Sequence, residues 1–300
     1  MTRNRASQPL IVGAVLFIVL WALIAWGLYT SVTTVVPGAN DFYQRWNGAQ
    51  VFWLHGTDPY SVPVSQQAEL FLYGHPYDPN PALDEYPGDF LYPFHLVFVL
   101  APLVNLPYAW ASAIWLALIA VGTGAVFILL AAYFSWRLKP LLLAAGLLWA
   151  LSFYPVMRGL FLGQVGVFSV YLQLVGLWAL SRRQPRWDAA AGLLLALSTV
   201  KPQLGLLLIP FLILWALRNS RWWFVAGFLV SMALLLIPAF ALEPRWLGEW
   251  LAQAGAYTGY TRAAAPLEMI THNYLPFLGS AGQLTLVELL LIGLLSPGFR

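Results

Sequence analysis

Long apolar runs separated by short polar turns dominate the chain, and this pattern predicts helices that cross a membrane. The first run, residues 10–29, has about 20 residues, which is the length an α-helix needs to span a bilayer. It follows Arg3 and Arg5 and ends in Trp26 and Tyr29, without the small-residue cleavage site of a signal peptide. We therefore expect an uncleaved helix whose N-terminus is cytoplasmic. Further apolar runs lie at 91–106, 108–135, 140–157, 165–180, 187–200, 203–217, 222–241 and 284–295.

Composition supports this interpretation and excludes several classes of protein. Hydrophobic residues make up 60% of the 300 residues and charged residues only 9%, whereas a soluble domain has about 25% charged residues. The chain has no Cys, which excludes disulfides, thiol catalysis, cysteine-ligated zinc and iron–sulfur clusters. Its four His lack the HExxH spacing, and a dispersed net charge of +3 gives no indication of nucleic-acid binding.

The run at 91–106 decides on which side of the membrane the later loops lie. It contains Pro93 and Pro102, which break helices. The segment therefore either crosses the membrane or does not cross it, as a re-entrant or interfacial segment. A re-entrant segment puts ten Lys and Arg inside and five outside, whereas a crossing segment gives six and nine. Because cytoplasmic loops carry the excess of Lys and Arg, we expect the re-entrant form. The protein is then an all-α, multi-pass cell-membrane protein with about eight transmembrane helices and an extracytoplasmic functional face.

We expect one integral-membrane domain over residues 1–300. Its parts are a first transmembrane helix at 10–30, an outer loop at 31–107 with an amphipathic helix and the re-entrant segment, a transmembrane bundle at 108–241, an outer loop at 242–283 and a last helix at 284–300. The apolar part of that last helix is too short to span well, so a truncated or partial helix is one interpretation.

Asp41 opens a predicted helix shortly after the first membrane run. Four residues recur there at helical spacing on one face: Phe42, Trp46, Ala49 and Trp53. Asn40 is a favourable N-cap, and we expect an amphipathic helix that lies on the outer leaflet. In the first turn of that helix, the Asp41 carboxylate either complements the helix dipole or carries out chemistry near the membrane.

Two further outer segments contain polar residues with more than one interpretation. Asp58 and Tyr60 follow Gly56, a typical helix-terminating glycine, and Asp58 suits a turn. Tyr92 and His95 open the re-entrant segment, where they either line a cavity or anchor the chain at the membrane interface. Spacing alone leaves these alternatives open.

Three polar residues near the later spans indicate a cavity at membrane depth. Lys201 and Pro202 interrupt an apolar stretch from about 189 to 217, and Arg158 and Gln164 lie between two other spans. A charged residue at this depth costs several kcal/mol unless it is paired, hydrated or reaches the headgroups. Lys201 therefore either extends to the lipid headgroups or awaits an anionic partner such as a phosphate. A backbone opened by Pro202 fits a cavity lining better than a lipid-facing helix.

These segments follow one another in a recognisable order over roughly residues 38–275. The motifs, in chain order, are Asp41-Phe42, Gly56-Thr57-Asp58-Pro59-Tyr60, Tyr92-Pro93, Ala101-Pro102-Leu103, Phe153-Tyr154-Pro155, Gly163-Gln164-Val165, Lys201-Pro202 and His272-Asn273. Each motif is short, but their order and spacing together are specific. The chain resembles glycosyltransferase family 87, a branch of the GT-C membrane glycosyltransferases.

The resemblance implies a GT-C-like fold, a helical bundle whose large first outer loop contains juxtamembrane helices. The best-known members are bacterial α-mannosyltransferases that use polyprenyl-phosphate mannose. Asp41 matches the acidic residue proposed as catalytic base in the family, and Gln164 and Lys201 match positions at the cavity wall. The chain departs from the family pattern at Gly166, where members often have Asn, and at His272-Asn273, where many have Asn-Gln.

The resemblance thus implies a hexosyltransferase that takes a sugar from a polyprenyl phosphate and transfers it, with inversion, to a glycolipid or glycan acceptor. Lys201 first, and Arg158 second, are expected to neutralise the leaving phosphate, with Gln164, Tyr92 and His95 as further donor contacts. Acceptor or sugar contacts are expected at Asp58, Tyr60, His272 and Asn273. The sequence requires no divalent metal or other cofactor, and the expected partners are the two substrates and membrane lipids, with no nucleic acid.

Two other classes of protein are compatible with the same residues. A non-catalytic membrane scaffold, or a lipid- or glycan-binding protein, would carry these motifs without using Asp41 for chemistry. A transporter is less favoured, because its signature is paired broken helices or inverted repeats, and the sequence has neither.

Overall fold

The structure is a computed structural model that describes residues 8–36, 38–80, 82–83 and 85–260. Within these ranges 76% of the residues are helical and no strand occurs, so the all-α prediction is confirmed. Packing divides the chain into two compact units, Met1–Gln253 and Ala254–Arg300. All the residues of the candidate site described below belong to the first unit.

Most of the long observed helices overlap predicted apolar runs, whereas Val62–Tyr73 and Trp246–Tyr260 lie in the predicted outer loops. In chain order the described α-helices are α1 (Gln8–Leu28), α2 (Asn40–His55), α3 (Val62–Tyr73), α4 (Leu96–Leu100), α5 (Tyr108–Tyr133), α6 (Pro140–Ser152), α7 (Tyr154–Leu162), α8 (Val165–Ser181), α9 (Pro185–Ser198), α10 (Leu208–Arg218), α11 (Trp222–Leu242) and α12 (Trp246–Tyr260). A π-helical turn, Tyr29–Thr33, continues α1, and 3₁₀ turns lie at Ala101–Leu103 and Pro202–Leu204.

Several of these helices are suited to a membrane. Three segments in the described ranges are long and apolar enough to cross one: Val12–Thr33, Tyr108–Tyr133 and Trp222–Leu242. Helices α6 and α7 meet at an angle of 56° and would count as a fourth span if they cross together. These segments support a membrane protein. The total of about eight transmembrane helices and the cytoplasmic N-terminus stay predictions.

The segment at 91–106 does not form a continuous helix that could cross a membrane. It contains only α4, which has five residues, and one 3₁₀ turn. Leu96, Val97 and Leu100 have no solvent-exposed surface, because other parts of the protein cover them. A helix this short cannot span a bilayer by itself, and the re-entrant arrangement of the segment stays a prediction.

Helix α2 differs from its prediction. It does not lie with one apolar face on a leaflet, because every residue from Phe42 to Ala49 is buried within the protein. Two of its polar side chains donate hydrogen bonds to distant backbone groups. Asn47 donates to the Val64 carbonyl at 3.5 Å and Gln50 to the Val104 carbonyl at 2.9 Å. Such partners allow a polar helix to enter a core, and Asp41 lies half-buried in its first turn.

The two ends of α2 test the predicted caps. Asn40 is the first helical residue, and the N-cap is Ala39 in a left-handed conformation with φ 51°, so the assignment of Asn40 as N-cap is wrong. At the other end Gly56 adopts φ 65°, and its N–H donates to the Phe52 carbonyl at 2.9 Å. The predicted glycine termination is confirmed.

A second core lies among α8 to α11, away from α2, and includes Leu195 and Phe224. Helices α9 and α11 approach each other there to backbone contact. A Cβ added to Gly192 would lie 2.4 Å from the nitrogen of Phe228, and one added to Gly227 would lie 2.6 Å from the oxygen of Ala189. Small residues permit this close helix packing, which fixes the helix that ends just before Lys201.

Candidate active site

Asp41, Gln164 and Lys201 form one continuous hydrogen-bonded chain of side chains. Gln164 donates through Nε2 to Asp41 Oδ2, and its Oε1 accepts from Lys201 Nζ at 3.1 Å. An amide side chain carries both a donor and an acceptor, so it can bridge a carboxylate to an ammonium group. The bridge holds a base and a cation near each other without a direct ion pair between them in the described structure.

The turn between α7 and α8 brings Gln164 to Asp41. Gly163 has φ 65°, and a Cβ at this position would lie 2.6 Å from the Cβ of Phe42. Trp115 donates to the Gly163 carbonyl at 2.9 Å and its ring stacks on Phe42 at 5.0 Å. The turn therefore fits against the start of α2, because Gly163 has no side chain that would collide with Phe42. Trp115 contacts both segments, the turn by its hydrogen bond and α2 by ring stacking.

Lys201 lies at the break between α9 and α10. Its N–H donates to the Ser198 carbonyl at 3.3 Å, and Pro202 begins a 3₁₀ turn directly after it. Gly166, on the first turn of α8, leaves space for the lysine, since a Cβ there would lie 3.0 Å from both Lys201 Cδ and Nζ. The glycine at a position where the family often has Asn thus accommodates the half-buried Lys201 side chain.

A second cation, Arg45, belongs to the same region, and sequence reasoning missed it. Its Cζ lies 4.9 Å from the centre of the Tyr92 ring, and Lys201 Nζ lies 5.8 Å from the same centre. Arg45 follows Asp41 by four residues on α2, so both side chains are on one helix face. That spacing is the signal that could have identified Arg45 from the sequence.

Tyr92 is held from two directions. Leu91 before it adopts φ 58°, an unusual conformation for leucine, and its N–H donates to Gln253 Oε1 at 3.1 Å. Tyr60 donates from its hydroxyl to the Tyr92 carbonyl at 2.6 Å. Tyr60 therefore positions Tyr92 in this structure, and its burial raises the pKa of its hydroxyl. Asp58 Oδ1 accepts the Tyr60 N–H at 2.8 Å, as expected for a turn-forming residue.

His95 is buried next to this region and carries no charge at neutral pH. Burial lowers its pKa from 6.5 to about 4, against a smaller opposing effect of Thr199. Nε2 lies 3.2 Å from Thr199 Oγ1, while Nδ1 has no hydrogen-bond partner among the described residues. A neutral imidazole suits a hydrogen bond to a sugar hydroxyl better than charge neutralisation of a phosphate.

The structure does not bring the remaining predicted residues to this cluster. Arg158 is exposed on α7, and its guanidinium lies 3.3 Å from the hydroxyl of Tyr154. His272 and Asn273 lie outside the described residues. Within the described ranges no group of three His, Asp or Glu side chains could hold a metal ion. Independence of a metal stays a prediction.

Comparison with known proteins decides the class of this site. The family model of glycosyltransferase family 87 matches residues 90–297, which is more than half of the 300-residue chain. The chain belongs to glycosyltransferase family 87. As a family 87 member it is a membrane glycosyltransferase, so the resemblance inferred from the motifs is confirmed. No curated protein and no solved structure matches it.

The family 87 match covers one side of the cluster only. Tyr92, Gln164 and Lys201 lie within residues 90–297, whereas Asp41 and Arg45 precede them on α2. The inclusion of α2 in the candidate site therefore rests on the hydrogen bond from Gln164 and on the shared Tyr92 ring. Family membership favours an enzyme over the scaffold and transporter alternatives.

Proposed function

We propose that this family 87 protein transfers a hexose, mannose first among candidates, from a polyprenyl phosphate to a hydroxyl of a glycolipid or glycan. The observation that carries the proposal is the Asp41–Gln164–Lys201 chain. It supplies the two functions that such a transfer needs, a base for the acceptor hydroxyl and a cation for the leaving phosphate.

Asp41 is suited to the role of base by its geometry. The hydrogen bond from Gln164 holds one carboxylate oxygen, Oδ2, and leaves the other oxygen for an incoming hydroxyl. Asp41 takes the proton as the acceptor oxygen attacks C1 of the sugar. The bond between C1 and the phosphate oxygen breaks, its electron pair stays on the phosphate, and the anomeric configuration inverts. A positioned base of this kind contributes about 10²–10⁴-fold to the rate.

Lys201 is suited to neutralise the negative charge of the leaving phosphate. A single phosphate links the lipid to the sugar in the donor, so an ammonium beside it matches the charge that develops when the C1–O bond breaks. In a partly dehydrated site, loss of one such electrostatic group costs about 10²–10³-fold in rate. Gln164 keeps the base and the cation in fixed relation, and neutral His95 is available to accept a hydrogen bond from a sugar hydroxyl.

We place the reaction at the extracytoplasmic face of the cell membrane, with the N-terminus in the cytoplasm. The support is the distribution of Lys and Arg, which favours a cytoplasmic position for the loops around Arg137, Arg182 and Arg218. Asp41 and Lys201 then lie at the ends of their spans on the opposite side.

The test is a transfer assay on the full chain in nanodiscs, with radiolabelled polyprenyl-phosphate mannose and a host membrane lipid extract as acceptor. Asp41→Asn is expected to lower the rate at least about 100-fold, and Lys201→Ala by a similar factor, because each removes one charge of the site. Asp78→Asn, which changes an exposed loop carboxylate, is the matched control and should leave the rate unchanged.

Two results would contradict the proposal. Full activity of a folded Asp41→Asn variant would remove the base assignment. No transfer from mannose, glucose or arabinose donors by wild type, while a full-length family relative is active in the same assay, would favour a non-catalytic lipid- or glycan-binding protein.

A further inference from the structure

The Arg45 guanidinium is buried without a neutralising partner. Its residue is only 7% exposed, yet Nε and Nη1 donate no hydrogen bond to any described residue. No carboxylate in the described ranges lies within ion-pair distance of it. A buried, unpaired charge costs several kcal/mol, so a site that retains one is typical of an anion-binding site.

The residues around Arg45 indicate where an anion could bind to it. The nearer acidic groups are already engaged, Asp41 with Gln164 and Asp89 with the hydroxyl of Ser65 at 2.9 Å. Asp89 interacts with Arg45 only through longer-range electrostatics. The free donors of Arg45 thus lie beside the Tyr92 ring that also borders Lys201.

We propose that Arg45 is the second cation of the phosphate site and acts together with Lys201 across the Tyr92 ring. The inference rests on the proposed transfer reaction and deepens it. It also replaces Arg158, which the sequence suggested for this role and which the structure places on an exposed surface.

Charge balance explains why two cations are useful. In the donor the phosphate is esterified twice, to lipid and to sugar, and carries one negative charge. When the C1–O bond breaks, the lipid phosphate keeps the electron pair and carries up to two charges, since its second pKa is about 6. The single positive charge of Lys201 matches the one negative charge of the donor phosphate. The two positive charges of Lys201 and Arg45 together match the two negative charges of the leaving lipid phosphate. Interactions that strengthen along the reaction path raise the rate of the chemical step.

The experiment compares three farnesyl ligands that differ in charge with inorganic phosphate, which has no lipid chain. The full chain in detergent is titrated with farnesyl phosphate, with its methyl ester, with farnesol and with inorganic phosphate. Binding is followed by the ligand-dependent rise in Tm. The variants are Arg45→Met, Arg45→Lys and Arg158→Met, with exposed Arg137→Met as the matched control.

Wild type is expected to prefer farnesyl phosphate over its singly charged methyl ester. Arg45→Met should weaken the binding of farnesyl phosphate about 10–100-fold, which corresponds to the loss of hydrogen bonds to a charged group. The binding of the methyl ester should weaken only a few-fold. Arg45→Lys, which keeps the charge without the planar fork, should retain part of the preference and covers the case in which Arg45→Met does not fold. Arg158→Met and Arg137→Met should bind as wild type does.

Several results would overturn the inference. Equal losses for both phosphate ligands, or a loss that extends to farnesol, would make Arg45 a structural residue. A larger loss in Arg158→Met would assign the role to that residue. Inorganic phosphate bound as tightly as farnesyl phosphate would exclude a lipid phosphate as the ligand. The binding experiment contains no sugar and no acceptor, so it can support the role of Arg45 even if the transfer assay fails. If transfer is active but Arg45→Met keeps the wild-type preference for farnesyl phosphate over its methyl ester, the role of Arg45 is refuted and the proposed function is not.

Discussion

Arg45 and Arg221 are both largely withdrawn from solvent, and each lies beside an aromatic ring, Tyr92 at 4.9 Å and Trp215 at 5.5 Å. Their polar partners differ completely. Arg221 donates through Nε to Asp188 Oδ2 at 2.7 Å, through Nη2 to the other carboxylate oxygen, and through Nη2 to the Leu180 carbonyl at 2.9 Å. Arg45 has no carboxylate at such a distance in the described structure, and two of its nitrogens lack partners.

The difference separates an arginine whose charge is neutralised within the protein from one whose charge is not. At the junction of α9 and α11 the charge of Arg221 is satisfied within the protein, so that region needs no ligand. At the candidate site Lys201 and Arg45 lie beside the Tyr92 ring, and neither forms a direct ion pair with a carboxylate of the described residues. Burial alone therefore does not identify a site. The informative property is a buried charge whose hydrogen bonds are incomplete.

The largest expected effect concerns the satisfied pair. Asp188→Asn should lower the free energy of unfolding by up to about 3–5 kcal/mol, because it leaves the Arg221 side chain, only 16% exposed, without an anion. The double variant Asp188→Leu with Arg221→Met should recover most of that loss, since apolar side chains need no partner. Thermal unfolding in detergent measures both. A double variant as unstable as the single one would show that the pair does more than neutralise itself.

Removal of a hydrogen-bonding side chain from the candidate site should lower the transfer rate and leave the stability nearly unchanged. Gln164→Met removes the bridge between Asp41 and Lys201, and we expect a rate loss of about 10–100-fold, equivalent to hydrogen bonds to charged groups, with little change in Tm. Gln184→Met, at an exposed glutamine, is the control. A Gln164→Met protein with the wild-type rate but a lower Tm would make the bridge structural.

Sequence patterns predicted the site unevenly, for physical reasons. Lys201 was predicted because a charged residue at membrane depth is costly without a partner or a cavity. Asp41 and Gln164 were predicted mainly through the resemblance of their motifs to family 87, because spacing alone left the role of Asp41 open. Arg45 was missed because the polar residues of α2 suggested a membrane surface. Their partners, such as the carbonyls of Val64 and Val104, come from distant segments that no local pattern reveals.

A third prediction uses pH, which should affect His95 and not the two arginines. The pKa of His95 is about 4 in the folded protein and 6.5 as an ordinary value, so the unfolded chain binds more protons between these values. Stability is therefore fully present above pH 6.5 and falls as the pH drops towards 4. From pH 7 to pH 5 the loss is roughly 2 kcal/mol.

His95→Gln should remove that part of the pH dependence, and His55→Gln, at an exposed histidine, should not. The readout is Tm at a series of pH values in detergent. An unchanged slope in His95→Gln would mean that other groups cause the acid sensitivity.

The smallest expected effect concerns the space around Lys201. A Cβ in Gly166→Ala would lie 3.0 Å from the end of the lysine side chain, which is flexible and can shift by a few tenths of an ångström. Alanine is favoured over glycine in a helix by about 1 kcal/mol, so Tm should stay equal or rise slightly. The KM for the donor should rise a few-fold, because Lys201 is displaced from Gln164 and from the proposed phosphate position. If KM is unchanged, the position of Lys201 is set by its ligand and not by the glycine. That result would extend the contrast with Arg221, whose position is fixed by the protein alone.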